Sequence, residues 1–277
     1  SKPGARVSGI YSYLSEPLFP FGGRRVSVYN NMVGDLRAPS SGNAAKPAIA
    51  GILIENNTIK DSIDIYHNTV DIRATGSHIS FSTAAVFTDT LAKVNCFGNL
   101  FNNISTPGTA GKTVAYWRRG TSLTNFSGDY NSYYAGTPAA NRLIYFDGTN
   151  SDQTLAAYKT RVGATREIAS VTEVPVYMST IGIDADFLHL NPAANCGLLG
   201  KAVNDAGITE LNADFDQDSR PSWFFVFTKA DIGADETSNL NTWTGAANTS
   251  WSNPLNWSRG TVPNSTTVII PAAPVNQ

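Results

Sequence analysis

An asparagine that returns four times at nearly constant spacing restricts the fold of this chain more than any other feature. Residues 62–72 read SIDIYHNTVDI: Ile63 and Ile65 alternate with Asp64 at the two-residue period of a strand, His67-Asn68-Thr69 interrupts, and apolar residues resume at Val70 and Ile72. The same order of residue types recurs at 26–33 (VSVYNNMV) and 94–101 (VNCFGNLF), with a weaker copy at 127–133 (SGDYNSY). The repeated positions are Asn31, Asn68, Asn99 and Asn131, at intervals of 37, 31 and 32.

Each copy follows a second short strand pattern, at 9–14 (GIYSYL), 51–56 (GILIEN), 84–89 (AAVFTD) and 114–119 (VAYWRR). The unit is therefore strand, turn, strand, asparagine turn, strand, loop. Units this short cannot bury a face alone, so they must stack on one another. The expected fold is all-β, a right-handed parallel β-helix, with units at about 9–48, 49–83, 84–113 and 114–142 and irregular coils and a cap over 143–236. Asn suits the corner of such a coil because it tolerates the left-handed backbone region. Stacked coils would align the four amides as a ladder. Polar loops at 34–47, 73–80, 103–113 and 135–141 fall at one point of the unit and should gather on one side.

Composition narrows the function classes. A formal charge of −2 with 15% charged residues gives no electrostatic case for a nucleic-acid partner. No stretch approaches the roughly 18 apolar residues of a membrane helix. The chain starts SKPGARVSG, with neither an initiator Met nor an apolar signal region, and is expected to be a fragment or processed product. Cys96 and Cys196, 100 residues apart, are expected to be buried small apolar side chains, with a disulfide as the alternative. Three scattered His and no C-x-x-C spacing make no zinc site by sequence.

After Asn131 the period loosens. Residues 143–148 (LIYFDG) look like one more strand, 154–163 (TLAAYKTRVG) like a short helix stopped by Gly163, and 184–203 like a return to β alternation. The asparagine strands, this helix, FLHLNP (187–192), DFDQDSRP (214–221) and DIGADE (231–236) together resemble secreted right-handed parallel β-helix proteins of the Bacteroidota type. Those are large multidomain, adhesin-like chains carried by type 9 secretion. The likeness covers roughly 9–236 and departs from the family at Gln217, where Gly is usual, and at Asn191, where Ser is common. It divides the chain into a β-helix domain over 1–236 and, over 237–277, a linker and the start of a further β module. In that second part Trp243, Trp251 and Trp257 read either as a small core or as a carbohydrate-binding platform.

Candidate sites follow from residue chemistry. Asp214, Asp216 and Asp218 have the alternate-acid spacing of a calcium loop, but Ser219 and Phe225 stand where an EF-hand has Gly and Glu. The bland alternative is an acidic turn held by Arg220 and backbone N–H groups, joined by Asp231, Asp235 and Glu236. Asp64, His67 and Asp71 on one unit, with Arg118 and Arg119 on another, are the residues an enzyme acting on acidic polysaccharide would use. Nothing in their spacing makes them converge, and no catalytic residue is assigned. By the resemblance, Ser62 and Thr90 lie in Asp-Ser/Thr-apolar triplets of the kind such bacteria O-glycosylate.

The resulting expectation is a non-catalytic adhesin or structural stalk, extracellular or on the outer cell surface. Its expected partners are surface glycans, other surface proteins and the outer-membrane secretion machinery, with calcium the one candidate cofactor. A polysaccharide lyase or glycoside hydrolase is the alternative.

Overall fold

The computed structural model describes residues 6–14, 23–38, 41–42, 45–56, 61–89, 93–192, 194–195, 197–203, 209–221, 229–237, 241–257, 262 and 268–270. The protein is all-β and solenoid-like, built on three parallel sheets to which each repeat unit contributes one strand. The first sheet takes β1 (Val7–Leu14), β4 (Ile49–Asn56), β7 (Thr83–Asp89), β10 (Thr113–Arg119) and β13 (Arg142–Phe146), in that order. The second takes β2 (Arg25–Tyr29), β5 (Ser62–Tyr66), β8 (Lys93–Phe97) and β11 (Phe126–Asp129). The third takes β3 (Met32–Val33), β6 (Thr69–Ile72), β9 (Leu100–Asn103) and β12 (Ser132–Tyr134). A two-residue β14 (Ser151–Asp152) ends the first sheet antiparallel to β13.

Registers run from unit to unit without slippage: Ile63 pairs with Val26 and Val94, and Val70 with Val33 and Phe101. Inward residues of all three sheets share one core, including Ile52, Val86 and Tyr116 from the first, Ile63 and Ile65 from the second, and Val70 and Phe101 from the third. On the other face of the first sheet, Leu53, Phe87, Trp117 and Phe146 stand in register and are buried too. Strands buried on both faces read as near-continuous apolar runs, which is why GILIEN and AAVFTD lack clean alternation.

The asparagine turns differ from expectation in one detail. The left-handed residue is the one before each repeated asparagine: φ is +52° at Asn30, +47° at His67, +68° at Gly98 and +58° at Tyr130. The asparagines themselves form the ladder. Asn31 Nδ2 donates to Asn68 Oδ1 at 2.9 Å, Asn68 Nδ2 to Asn99 Oδ1 at 3.0 Å, and Asn99 Nδ2 to Asn131 Oδ1 at 2.9 Å. Each accepting Oδ1 also takes the backbone N–H of the preceding asparagine. Asn68, Asn99 and Asn131 are fully buried, so an unmet amide here would carry the full desolvation cost.

The ladder has a direction, and its last donors need an acceptor that is not another asparagine. Asn131 Nδ2 donates to the Glu167 carboxylate at 3.2 and 3.4 Å, and Asn131 N to Ser170 Oγ at 2.9 Å. Tyr133 and Ser170 hydroxyls donate to the same carboxylate. Burial pushes the Glu167 carboxyl up to about 7, against the pull of its Ser170, Asn131 and Tyr133 donors. Helix α1 (Leu155–Val162), capped by Thr154 and ended at Gly163 with φ +89°, closes this end of the core. Its Tyr158 stacks on Tyr145 at 4.8 Å and meets Tyr116 and Tyr133 edge-on. Cys96 is a buried free thiol beside Asn99, Asn131 and Tyr133, whereas Cys196 lies outside the described residues.

One further expectation is corrected. Residues 184–203 do not form a strand: turns and the isolated bridges Tyr177–Leu190 and Ser179–Phe187 replace a ladder, with Leu188 at φ +59°. The alternation seen there reflects Leu188 and Leu190 turning inward together. The lane of Ser27, Asp64, Asn95 and Ser127 is in register but is not uniformly solvated. Asp64 is fully buried beneath the Arg25 guanidinium and takes an N–H from Asn95 at 2.6 Å.

Asn68→Leu should lower stability by more than about 3 kcal/mol in urea unfolding, because it strips partners from Asn31, Asn99 and two buried carbonyls at about 1–3 kcal/mol each. Glu167 sets a pH dependence. Its folded value of about 7 lies above the ordinary 4.5, so the fold binds the proton more tightly than the unfolded chain does. Stability from this group is then fully present below pH 4.5 and is lost as pH rises through 7, by about 3 kcal/mol in total. Urea midpoints should fall between pH 5 and pH 8 in the native chain, and fall less in Glu167→Gln.

Candidate functional site

The densest polar cluster lies along the asparagine turns. Residues 214–221 and 231–236 dock laterally on the turns of three successive units. Gly233 N donates to Gly98 O at 2.8 Å, Ala234 N to Thr69 Oγ1 at 2.9 Å, and Asn30 Nδ2 to Ala213 O at 2.6 Å. At Gly233, with φ +115°, a Cβ would come within 2.6 Å of Thr69 Oγ1, so only glycine permits this approach. Leu190, Leu198, Ala202, Ala230 and Ile232 fill the seam against Leu100. His67 is buried beneath the dock, and burial together with the nearby Arg220 guanidinium holds its imidazole neutral.

Within the dock most charges are matched. Arg220 is buried; its guanidinium donates to Glu236, to Asn30 Oδ1 at 3.1 Å and to Gly233 O at 3.1 Å. Asp231 takes the N–H groups of Gly200 and Thr237 and the Thr237 hydroxyl. Asp214 Oδ1 accepts the N–H groups of Asp216 at 2.9 Å and Asp218 at 2.8 Å, and its Oδ2 accepts Glu236 N at 2.8 Å. Thus Asp214 shapes the acidic turn and the following Gln217 takes φ +73°. A cavity of about 420 Å³ opens beside this turn, lined by Tyr29, Asn30, Ala213, Asp214, Phe215 and Gln217.

The fold also brings the Asp216 carboxylate together with His189 and Asp235. His189 Nε2 lies 3.3 Å from Asp216 Oδ2, and His189 Nδ1 lies 3.7 Å from Asp235 Oδ1. Burial pushes the Asp235 carboxyl up to about 6, and burial raises Asp216 as well. Sequence reading passed over His189 because its partners lie in two segments further along the chain, and no local spacing joins them.

No protein family, curated protein or solved structure matches the chain. Its chemistry must therefore be read from its own side chains.

The other candidate residues remain apart. Asp64 is held by Arg25, Tyr66 and Asn95; Asp71 by Arg73 and Asn102. Arg118 is fully buried, donating to Ser122 O and the Tyr116 hydroxyl. Ser62 is half-buried at the start of β5, and the Asp61 before it is engaged by Arg24; Thr90 lies outside the described residues. Trp243, Trp251 and Trp257 pack on one another at 4.4–5.5 Å, with Trp243 and Trp257 buried and Trp251 47% exposed.

Arg220 is the charge on which the dock turns. Arg220→Met should cost about 3–5 kcal/mol in chemical unfolding, because the Glu236 carboxylate stays buried without its guanidinium. Arg220→Lys should recover only part of this, since an ammonium cannot span Glu236, Asn30 and Gly233 together.

Proposed function

We propose that the three parallel sheets close into a right-handed parallel β-helix serving as a non-catalytic segment of a large secreted or surface-attached chain, an adhesin or structural stalk. The observation that carries this reading is where the polar groups of the repeats go. The buried carboxylates and amides on consecutive units are engaged with one another and with neighbouring arginines, so they serve the stack. Parallel sheets in register from unit to unit are what a closed coil requires.

The loops support a binding role on one side. Gly42 sits against the His78 ring, Gly108 N donates to Phe81 O at 3.0 Å, and Ala110 N to Ile79 O at 2.8 Å, so the described parts of loops 34–47, 73–80 and 103–113 lie on one another next to Phe81. Insertions stacked on one face of a solenoid are a usual place for recognition. The Bacteroidota-type, type 9 secretion origin is carried by the resemblance. It draws support from Gln217, whose left-handed backbone suits the glycine that the resembled family has there. Surface glycans and other surface proteins are the partners this reading implies, with export through the outer membrane.

A glycan array and a cell-adhesion assay should give binding that is lost when loop 103–113 is shortened, with the unfolding midpoint preserved. In parallel, a panel of uronate polysaccharides, with and without calcium, should yield no new unsaturated ends or reducing sugars. Turnover abolished by substituting Asp64, Asp71 or Arg118 in a folded variant would replace this reading with that of a polysaccharide lyase or glycoside hydrolase.

A further inference from the structure

We propose that His189, Asp216 and Asp235 form a binding site for a divalent first-row transition-metal ion, with zinc as the probe. Three chain segments converge here, and one ligand atom from each residue lies within 4.8 Å of the other two. Around an ion with bonds of about 2.0–2.2 Å, neighbouring ligands stand about 3–3.5 Å apart. The 3.3 Å between His189 Nε2 and Asp216 Oδ2 already has that spacing, and the third ligand needs only a small closure.

Asp235 is the buried member of the cluster. It is 5% exposed, and its Oδ2 is pinned by the Leu190 N–H at 2.8 Å. Its Oδ1 faces His189 Nδ1 at 3.7 Å, too long for a hydrogen bond, and makes none to a described residue. Of its two oxygens, Oδ1 is therefore the one turned toward the cluster. The Arg220 guanidinium is directed at Glu236 and leaves His189 as the partner that faces Asp235.

The donor set selects the ion class. Calcium asks for about six to eight oxygens, and two carboxylates with an imidazole do not offer them. One imidazole nitrogen with two carboxylate oxygens suits zinc or manganese. His189 and Asp216 are partly exposed, leaving room for water in the remaining positions. Asp214 is engaged in the turn, where its two oxygens accept three backbone N–H groups, and it positions Asp216. The acidic triplet thus supplies one ligand, Asp216, rather than three.

The test uses the full, untagged chain stripped with a chelator and titrated with zinc chloride at pH 7.5 by calorimetry, with metal content measured after dialysis. A single equivalent should bind to the native chain and equally to Asp218→Asn. Affinity should fall at least about tenfold in both His189→Gln and Asp216→Asn, while their metal-free melting curves match the native one. Three results would overturn the proposal: no zinc bound, zinc bound undiminished in His189→Gln, or calcium bound in a manner lost with Asp218→Asn but not with His189→Gln.

Discussion

The rest of the structure depends on a chain of amide hydrogen bonds that runs one way. From Asn31 to Asn131 each side-chain amide donates one N–H toward the next unit, and the last lands on Glu167. Asn68, Asn99 and Asn131 also bond carbonyls of the unit before them, namely Val28, Ile65 and Cys96. A buried polar row of this kind specifies register, because a slip by one residue would leave several amides unmet at once. The apolar core contributes most of the driving force, yet Ile63 over Val26 or Val94 could tolerate exchange that the amides cannot.

Direction explains why a carboxylate is buried at one end. A ladder of identical amides leaves its final donors without an acceptor, and a carboxylate with a hydroxyl beside it satisfies them. Glu167, at φ +54°, repeats the left-handed backbone of the corner series, and its N–H bonds Gly128 O as a further unit would. The chain thus ends its repeat by substituting Glu167 and Ser170 for one more asparagine. The consequence is a carboxyl whose proton the fold favours, in contact with Tyr133 and near Cys96.

The repeat was legible in the sequence because its cause is local: strand, corner and strand lie within eleven residues, as at 62–72. The inference erred by one position at the corner, since Asn30, His67, Gly98 and Tyr130 share no side-chain character and only their φ values unite them. The burial of Asp64 was hidden for a related reason. Its neighbours in the lane are Ser27 and Asn95, but its burial comes from Arg25 on an adjacent unit. The acidic segments were visible as residue types, yet their arrangement was not. Arg220 to Asn30 spans 190 residues and Ala234 to Thr69 spans 165, distances over which spacing carries no information.

Left-handed corners do more than turn the chain. They direct the groups around Asn30, Thr69 and Gly98 outward from three successive units, and Ala213, Arg220, Gly233 and Ala234 use those groups as a landing strip. His67, in the same series, offers a bulky neutral ring that is covered over, and Gly98 leaves room for it, since a Cβ there would meet the ring at 2.7 Å. Glycine at 98 and histidine at 67 are therefore one choice made across two units. The same docking draws Asp216 and Asp235 to His189, so the cluster that can hold a cation is a product of how the solenoid's turns receive the segment that follows them.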